Sequence, residues 1–504
     1  MKAKLRHFIE EGFSERAAAL ICLGTLILSL VPMLLLTRFN YPSWDDFNWS
    51  AASRALLLEG KSILPQALAS ARSCFEEIYG NFIGFFNALM PDIFAESARE
   101  NTYMWGSAVY ILLFALICLL FVYTCLRRLL SASRAASLTS ASLFTLTAMQ
   151  FLPSGVEGFY NYLPTTSYTL PFMLQLLTAS LAVSLLSRSE GSLKADKWRA
   201  AALFLTSAAA ELFTYFVPGL TAVLVWVCLT FWLFLARSKG RWAALFGALG
   251  ALCAFFATAF SGGAQGRVAE QAASSDPLRA IVYSLFFSGV YFGKWLCVPI
   301  LILTGFIAAV LLPYIRSSAF SFKLPGLVSL IALGICCSVS TPLIYARDGR
   351  GSGRIFNMCF WVFLIALVFL AVYWLGWLER RGGLFLPKSL KTLKGALTAL
   401  CCLVFLLSLA QFDRFDVFDA EQPMDVQQRV TSLSALWSLA SGEAEAYAAE
   451  QTARREVLFD ETVSEAVFEP IKTRPYLLFY RDLDYGAVAA YYGKESVTVT
   501  GGSD

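Results

Sequence analysis

The feature that most constrains this chain is a series of apolar blocks, each about 20 residues long. A helix of that length spans a hydrocarbon core of roughly 30 Å. Charged residues make up 15% and hydrophobic residues 57% of the 504 residues, whereas a soluble domain carries about 25% charged residues. The sequence therefore predicts an all-α polytopic membrane protein. It excludes soluble multidomain enzymes, disordered proteins and disulfide-stapled secreted scaffolds.

The apolar blocks predict eleven transmembrane helices. The first is too long for a removable signal peptide and lacks a small-residue cleavage site, so we expect a signal anchor. Segment 280–294 is apolar but short, and a full span there would break the alternation of loop charge, so we expect an interfacial or re-entrant piece. The expected spans are 17–37, 104–126, 135–152, 166–187, 199–216, 218–236, 242–260, 295–315, 325–344, 355–378 and 395–412.

Lysine and arginine indicate the orientation of these spans. They concentrate in alternate short loops, such as 127–134, 237–241 and 380–394. Short loops rich in Lys and Arg face the cytoplasm. The sequence therefore predicts a protein of the cytoplasmic (plasma) membrane with its N-terminus in the cytoplasm and its C-terminus outside.

Two regions on the outer side are large. The transmembrane domain, 1–412, includes a first outer loop, 38–103, whose amphipathic segments are expected to lie along the membrane surface. The tail, 413–504, is long enough for a small α/β extracytoplasmic domain. In these regions the patterns predict helices at Ala51–Leu58, Leu64–Ala71, Phe82–Phe94, 423–458 and Tyr485–Tyr492, and strands at Tyr476–Tyr480 and Ser496–Thr500.

The residue inventory excludes several chemistries. The single histidine, His7, lies in the N-terminal segment, so a histidine-based zinc site and a Ser-His-Asp triad are excluded. Nearly all of the 12 cysteines lie in apolar spans without CxxC spacing, which is typical of small apolar residues packing between helices. No basic tract with interleaved aromatic residues indicates nucleic-acid binding.

An acidic pair opens the first outer loop, in the stretch Tyr41-Pro-Ser-Trp-Asp45-Asp46-Phe47. Adjacent side chains on a helix point about 100° apart, so Asp45 and Asp46 do not form a carboxylate dyad on one face. One acid is expected to point into a cavity as a general base or metal ligand, while the other caps the following helix. A solvated Asp-Asp turn with a helix cap is the alternative.

The second outer loop, 153–164, combines one acid with aromatic and amide side chains and contains no Lys or Arg. Aromatic faces and amides are suited to sugar rings, although aromatic residues at this depth also form an interfacial belt. Glu211, near the outer end of an apolar helix, is a further candidate because an ionisable residue there is costly; a water-exposed interfacial Glu is the alternative. The polar candidates of the second loop are Glu157, Tyr160, Asn161 and Tyr162.

Arginines in the short outer loops oppose the orientation signal. Glycine-rich loops let backbone N–H groups approach an anion, and arginine binds phosphate with a planar fork of donors. Outer acids together with outer arginines indicate an acid/base group beside a phosphate-binding site, and solvated loop arginines are the alternative. The arginines concerned are Arg267, after Ser261-Gly-Gly-Ala-Gln-Gly, and Arg347, Arg350 and Arg354, within 345–354.

These motifs together resemble the GT-C superfamily of membrane glycosyltransferases. The chain is similar to bacterial O-antigen glucosyltransferase-like proteins and to related polytopic proteins that contain a domain of unknown function. The likeness rests on the acidic pair, the Gly158-Phe-Tyr-Asn-Tyr-Leu-Pro164 stretch, Glu211 and the two arginine loops, and it extends to Tyr491-Tyr-Gly-Lys-Glu-Ser-Val497 in the tail. Such proteins often carry a Gly-Arg pair late in the first outer loop, which the stretch 79–86 lacks.

The resemblance implies a fold with an outward cavity, in which a sugar passes from a polyprenyl-phosphate donor to a glycan or lipid acceptor of the cell envelope, usually with inversion. Asp45 or Asp46 would be the general base, or would hold a divalent cation (Mg or Mn). Glu157 and Glu211 would be polar contacts in the cavity. The outer arginines would neutralise the donor phosphate as the leaving group forms. The implied partners are the lipid-linked sugar, its acceptor and the bilayer, with no nucleic acid.

Two other functions are compatible with the same residues. A transporter or flippase for a lipid-linked or anionic substrate would use the arginines without chemistry at Asp45 or Asp46. Transport usually places polar groups near the bilayer midplane, whereas the polar groups here lie near the outer ends of the spans. A non-catalytic envelope assembly protein that presents the tail is the other alternative.

Overall fold

The protein is predominantly helical in its computed structural model, which describes residues 15–43, 45–187, 193–214, 216–271, 276–347, 352–382, 430–479 and 484–500. Short 3-10 and π-helical turns lie between several helices, and the two strands belong to the tail. In chain order the helices are α1 (Glu15–Leu36), α2 (Asp46–Leu58), α3 (Leu64–Ser73), α4 (Gly84–Asn87), α5 (Met104–Leu129), α6 (Arg134–Gln150), α7 (Tyr162–Leu186), α8 (Leu193–Leu212), α9 (Phe216–Leu235), α10 (Arg241–Ala259), α11 (Gly262–Gln271), α12 (Pro277–Trp295), α13 (Val298–Ser317), α14 (Pro325–Ser338), α15 (Thr341–Arg347), α16 (Gly353–Arg380), α17 (Thr431–Ala440), α18 (Glu443–Phe459) and α19 (Tyr485–Tyr492).

Six of these helices are long and apolar enough to cross a membrane: α1, α5, α7, α10, α13 and α16. The protein is therefore a multi-pass helical membrane protein, as the sequence predicted. The other predicted spans in the described part of the chain are also helical. Of these, α9 and α14 contain apolar stretches that are shorter than those of the six helices above, and α6 is 17 residues long. The predicted span 395–412 lies outside the described residues.

Helix α6 lies at the centre of the membrane part and is buried along almost its whole length. It packs between α1, α5 and α13. Its sequence contains many serine, threonine and alanine residues, and such small side chains let neighbouring helices approach closely. The low hydropathy of α6 is explained by this position, because neighbouring helices rather than lipid surround it.

Two apolar segments depart from simple spans. Segment 280–294 is a regular helix, α12, which buries a narrow face that includes Ser284 and Ser288 and packs against α16 through Tyr291 and Trp295. Most of its remaining side chains are apolar and exposed. The predicted span 325–344 is interrupted after Ser338, where α14 ends, and two residues separate it from the start of α15 at Thr341.

The predicted outer loops meet one another at one end of α16, and the predicted cytoplasmic loops meet at the other. At the first end, Phe82 donates a backbone hydrogen bond to Leu212, and Arg354 contacts Glu157. At the second end, Arg316 pairs with Glu379 at 2.8 Å. Arg354 and Glu379 lie 25 residues apart on α16, which corresponds to about 38 Å at about 1.5 Å per residue.

The described part of the tail packs on the first outer loop. Its strands β1 (Glu465–Phe468) and β2 (Ser496–Val499) form a parallel pair, with Glu465 opposite Ser496. The predicted helix Tyr485–Tyr492 and the strand at 496–499 are confirmed. The predicted strand Tyr476–Tyr480 is wrong over its described residues, because 476–478 form a turn and the partner of β2 is β1. Similarly, the predicted helix Phe82–Phe94 is divided into α4 and a 3-10 turn at Pro91–Phe94.

Candidate functional site

Asp46 is buried at the start of α2 and joins three segments of the chain. Its Oδ2 accepts hydrogen bonds from the Ser43 backbone N–H at 3.0 Å and the Tyr103 hydroxyl at 2.6 Å. Its Oδ1 accepts one from the Leu163 backbone N–H at 3.1 Å. Burial raises the pKa of Asp46 from its ordinary 3.8 to about 7, although these three hydrogen bonds act in the opposite direction. Asp46 therefore connects the first outer loop to the second.

Tyr103, which directly precedes α5, extends this network. Its hydroxyl donates to Asp46 and accepts a hydrogen bond from the Tyr162 backbone N–H at 2.8 Å. The carboxylate oxygens of Asp46 already accept hydrogen bonds from N–H and O–H donors. A divalent cation would need the same oxygens, so this carboxylate does not fit the role of a metal ligand. Within the described residues, no group of three or more His, Cys, Asp and Glu side chains could hold a metal ion.

Asp45 differs from its neighbour in exposure and in contacts. It is half-buried, and its Oδ1 lies 3.4 Å from the amide nitrogen of Asn48, a weak hydrogen bond. The same amide donates to Asp484 of the tail at 3.0 Å. Asp45 occupies the position before α2, but its side chain accepts no N–H of the helix. The prediction that one acid caps the helix is therefore wrong, while the predicted divergence of the two side chains is confirmed.

The aromatic residues of the second outer loop pack into the protein interior rather than exposing the faces of their rings on the surface. The Tyr160 hydroxyl donates to the Met33 backbone carbonyl at 2.9 Å, and the Tyr162 hydroxyl donates to that of Phe86 at 2.9 Å. Asn161 between them is also buried. These contacts hold the second outer loop against α1 and the first outer loop.

Glu157 and Arg354, which come from two different predicted outer loops, lie together. Arg354 Nη1 lies 3.6 Å from Glu157 Oε1, and the Arg354 backbone N–H donates to Oε2 at 2.9 Å. The guanidinium also lies over the Tyr168 ring, 5.4 Å from its centre. Glu157 is almost fully buried, whereas a quarter of the Arg354 side chain is exposed. The partly exposed guanidinium of Arg354 therefore lies where two predicted outer loops meet, and the buried carboxylate of Glu157 contacts it from the protein interior.

Asn357 fixes the orientation of this pair. Its side-chain amide accepts a hydrogen bond from the Ser154 backbone N–H and donates one to the Ser154 carbonyl, both at 2.8 Å. Gly353 allows the close approach, since a methyl group there would lie 2.1 Å from Glu157 Oε2 and 2.4 Å from Ser154 Cβ. The first turn of α16 is therefore locked onto the second outer loop.

Glu211 lies near the C-terminal end of α8 and is also buried. Its Oε2 accepts a hydrogen bond from the Gln175 amide of α7 at 3.1 Å. A methyl group at Gly219 would lie 2.1 Å from its Oε1, so the first turn of α9 covers the carboxyl group. None of the hydrogen bonds described for Glu211 joins it to Asp46, Glu157 or Arg354, so it forms a separate polar position.

The remaining predicted arginines are described only in part. Arg350 and the side chains of Arg267 and Arg347 lie outside the described residues. The glycine-rich stretch before Arg267 is helical, in α11, rather than a loop. A methyl group at Gly263 would lie 2.6 Å from the Ile78 backbone nitrogen, so this glycine permits close packing on the first outer loop.

Sequence reasoning missed the charged residues between the tail and the first outer loop. Arg455 of α18 pairs with Asp92 at 3.2 Å, and both side chains are almost fully buried. Arg54 of α2 donates to the carbonyls of Ile93 and Ala95 and lies over the Tyr491 ring at 5.5 Å. Arg54 also opposes the charge pattern of the loops, which is the signal that could have identified it.

A scan against protein-family models, a search of curated proteins and a search of solved structures each found no match to this chain. The family resemblance therefore rests on the residues of the chain itself, and function must be argued from the site.

Proposed function

We propose that this protein is a GT-C-like membrane glycosyltransferase. It transfers a sugar from a polyprenyl-phosphate donor to a glycan or lipid acceptor at the outer face of the cytoplasmic membrane. The observation that carries the proposal is the contrast between two adjacent carboxyl groups. Asp45 is half-exposed, whereas Asp46 is buried where the first and second outer loops are joined by hydrogen bonds. A reactive acid on a rigid frame is what transfer to a hydroxyl group requires.

Asp45 is proposed as the general base. It would take the proton of the acceptor hydroxyl while the acceptor oxygen bonds to the anomeric carbon of the sugar. The bond from that carbon to the phosphate oxygen breaks, and its electron pair leaves with the polyprenyl phosphate. Asp46 is proposed as a positioning residue, because three donors already engage its oxygens and its side chain is buried.

The leaving phosphate needs positive charge near it. Arg354 supports the proposal with a partly exposed guanidinium, whose orientation Glu157 and Tyr168 determine. Arg267, Arg347 and Arg350 are proposed to contribute to the same phosphate site, and Glu211 to a separate polar contact. Arginine suits this role because its fork of donors matches phosphate oxygens and it stays charged.

The finer architecture belongs to the same proposal. We propose eleven spans with the N-terminus in the cytoplasm, and a transmembrane domain, 1–412, followed by an extracytoplasmic tail domain, 413–504. This orientation places Asp45 on the side where soluble nucleotide sugars are absent. A lipid-linked donor is therefore the donor class that suits the site.

Replacing Asp45 with Asn tests the proposal. The amide keeps the size of the side chain but cannot accept a proton, so transfer from a purified polyprenyl-phosphate sugar should fall about 100- to 10,000-fold. Donor binding and thermal stability should stay near wild type because Asp45 is half-exposed and weakly bonded. Radiolabelled sugar transfer in membranes, together with the melting temperature of the purified variant, measures both effects.

Asn48→Ala is the matched control, since it removes the neighbour of Asp45 but leaves the carboxylate. Its transfer rate should fall far less than that of Asp45→Asn. Undiminished transfer by the Asp45→Asn variant would refute the assignment of the base.

Transport of a lipid-linked substrate is the second candidate, because the helix break between α14 and α15 favours it. At this break, Ser338 contacts Thr221 at 2.8 Å and Thr341 contacts Ser284 at 2.9 Å. Broken helices with polar contacts line the binding sites of many transporters. A transporter would move its substrate equally well in the Asp45→Asn variant and would form no glycosylated product.

A further inference from the structure

Helix α17, the first described helix of the tail, has its side chains on the wrong faces for a helix in water. Its large apolar side chains are half-buried or exposed, and Leu436 and Trp437 are 51% and 55% exposed. A surface helix of a soluble domain has the opposite arrangement, with apolar residues toward the core and polar residues toward water. The residues that α17 buries are all small, and four of the five carry a hydroxyl group: Thr431, Ser432, Ser434, Ala435 and Ser438.

The same arrangement is typical of helices in a bilayer. Small residues at a helix interface let two backbones approach closely, and lipid rather than water surrounds the outward side chains. Helix α17 packs mainly along α1, which is one of the helices that are long and apolar enough to cross a membrane. The small residues of α17 therefore lie against a membrane span.

Hydrogen bonds place the start of α17 well below the outer end of α1. The Ser432 backbone N–H donates to Gln150 Oε1 at 2.8 Å, and the amide nitrogen of Gln150 in turn lies 3.3 Å from Ser29 Oγ of α1. Ser29 comes seven residues before Leu36, the end of α1, which corresponds to about 10 Å at about 1.5 Å per residue. Helix α17 therefore begins at the depth of a residue inside the span.

The other end of α17 leads toward the outer loops. Two residues separate it from α18, and Tyr447 of α18 packs edge-on against Tyr41 of the first outer loop, with ring centres 6.4 Å apart. Ten residues at about 1.5 Å each extend about 15 Å, which is half of a hydrocarbon core of roughly 30 Å. Over the same depth α1 exposes the apolar side chains of Val31 and Leu35. The lipid that covers these side chains therefore reaches the level of α17.

We propose that α17 is embedded in the half of the bilayer next to the outer loops, and that the face formed by Leu436 and Trp437 contacts the acyl chains of lipids. The hydroxyl-bearing side chains point toward the protein, so the lipid meets the apolar ones. The start of the tail then belongs to the membrane-embedded structure, and the part from α18 onward lies outside it. The proposal rests on neither the transfer reaction nor the role of Asp45.

Photo-crosslinking of the purified full chain in vesicles of phosphatidylcholine tests the proposal. The photoreactive residue p-benzoylphenylalanine replaces Leu436, and ultraviolet light then joins it to a C–H group in contact with it. Mass spectrometry of the irradiated protein should find phosphatidylcholine attached at this position. Transfer of one leucine side chain from water to an apolar medium changes an equilibrium by about tenfold or more, so the yield of lipid adducts should exceed that of a water-exposed position by a similar factor.

Two control positions calibrate this yield. Leu28 is 72% exposed on the span α1 and should give lipid adducts as often as Leu436. Ala453 is exposed on α18, one turn before the charged Glu456, and should give few. A yield at Leu436 as low as that at Ala453 would show that water covers the face, and adducts confined to the protein chain would show that another segment covers it. Either result would overturn the proposal.

Trp437→Phe gives an independent measurement and keeps an aromatic ring, so it decides the question if the Leu436 variant does not fold. The difference in fluorescence between wild type and this variant is the emission of Trp437. In vesicles whose acyl chains carry bromine, which quenches indole fluorescence on contact, this difference should largely disappear. An equal difference in brominated and ordinary phosphatidylcholine would refute the contact with lipid.

Discussion

At the scale of single residues, Asp46 illustrates two opposing effects on one carboxylate. Burial favours the protonated form, and three donors favour the charged form. The balance puts its pKa near neutral pH, although the residue is proposed to position Asp45 rather than to react. A shifted pKa at a candidate site therefore needs the geometry beside it before a role is assigned.

The pKa of Asp46 predicts a pH dependence of stability. The folded protein binds this proton more tightly than the unfolded chain, because the pKa is about 7 when folded and 3.8 in its ordinary state. The stabilisation is complete below the unfolded pKa and is lost as the pH rises through about 7. Asp46→Asn lacks this titration, so the decline of its melting temperature between about pH 4 and 8 should be shallower than in wild type.

Melting temperatures of both proteins across this pH range measure the effect. Asp45→Asn is the control, because it retains Asp46 and should keep the wild-type slope. Identical slopes in Asp46→Asn and wild type would show that Asp46 does not titrate in this range.

The sequence could predict that Asp45 and Asp46 diverge, but not which of them is buried. The partners that bury Asp46 are Tyr103 and Leu163, which come 57 and 117 positions later in the chain. Likewise, the arginine loops predicted a charged site, whereas the pairing of Arg354 with Glu157 depends on α16 packing against the second outer loop. Local patterns carry no information about such long-range contacts.

At the scale of elements, most helices were predictable and their interruptions were not. Long apolar blocks predict helices because the bilayer leaves the backbone no other partner. The break after Ser338 precedes Pro342, but a proline in an apolar block also occurs within a continuous helix, as Pro32 does in α1. The polar contacts at the break come from α9 and α12. The glycine-rich stretch that begins α11 was predicted as a short outer loop whose backbone could approach an anion, but it is helical and its glycine at 263 permits close packing.

Close packing at the start of α16 gives a prediction for Gly353. Alanine at this position would place Cβ against Ser154 Cβ at 2.4 Å, and the backbone would have to move. The free energy of unfolding should fall by roughly 1–3 kcal/mol, as for other overpacked sites. The loss should be seen as a lower melting temperature of the purified protein.

Gly326→Ala is the matched control for Gly353→Ala. Gly326 also lies in the first turn of a helix, α14, but nothing lies within 4 Å of an added methyl group. This substitution should leave stability unchanged or raise it by up to about 1 kcal/mol. Equal effects of the two substitutions would contradict the proposed lock between α16 and the second outer loop.

At the scale of the whole molecule, the tail and the membrane part share one apolar core. Val430 and Leu477 of the tail belong to the same cluster of buried residues as Met33 and Phe114. Thr431 also donates to the carbonyl of Met149, at the end of α6. The length of the tail led to its prediction as a small domain, and the predicted boundary at 412 lies outside the described residues. Length indicates that a segment can form a domain, whereas shared burial depends on contacts with the rest of the chain.

The grouping of loops at the two ends of α16 predicts which positions a membrane-impermeant maleimide reaches in intact cells. Lys61→Cys in the first outer loop and Lys472→Cys in the tail are exposed and should both be labelled. Lys239→Cys, exposed between α9 and α10, should be labelled only after permeabilisation. The wild-type chain controls for native cysteines, since the ten in the described residues are free thiols. Labelling of Lys239→Cys alone in intact cells would reverse the orientation and place Asp45 in the cytoplasm, where a nucleotide sugar could be the donor. Labelling of all three variants would contradict the separation of the two loop groups by the membrane.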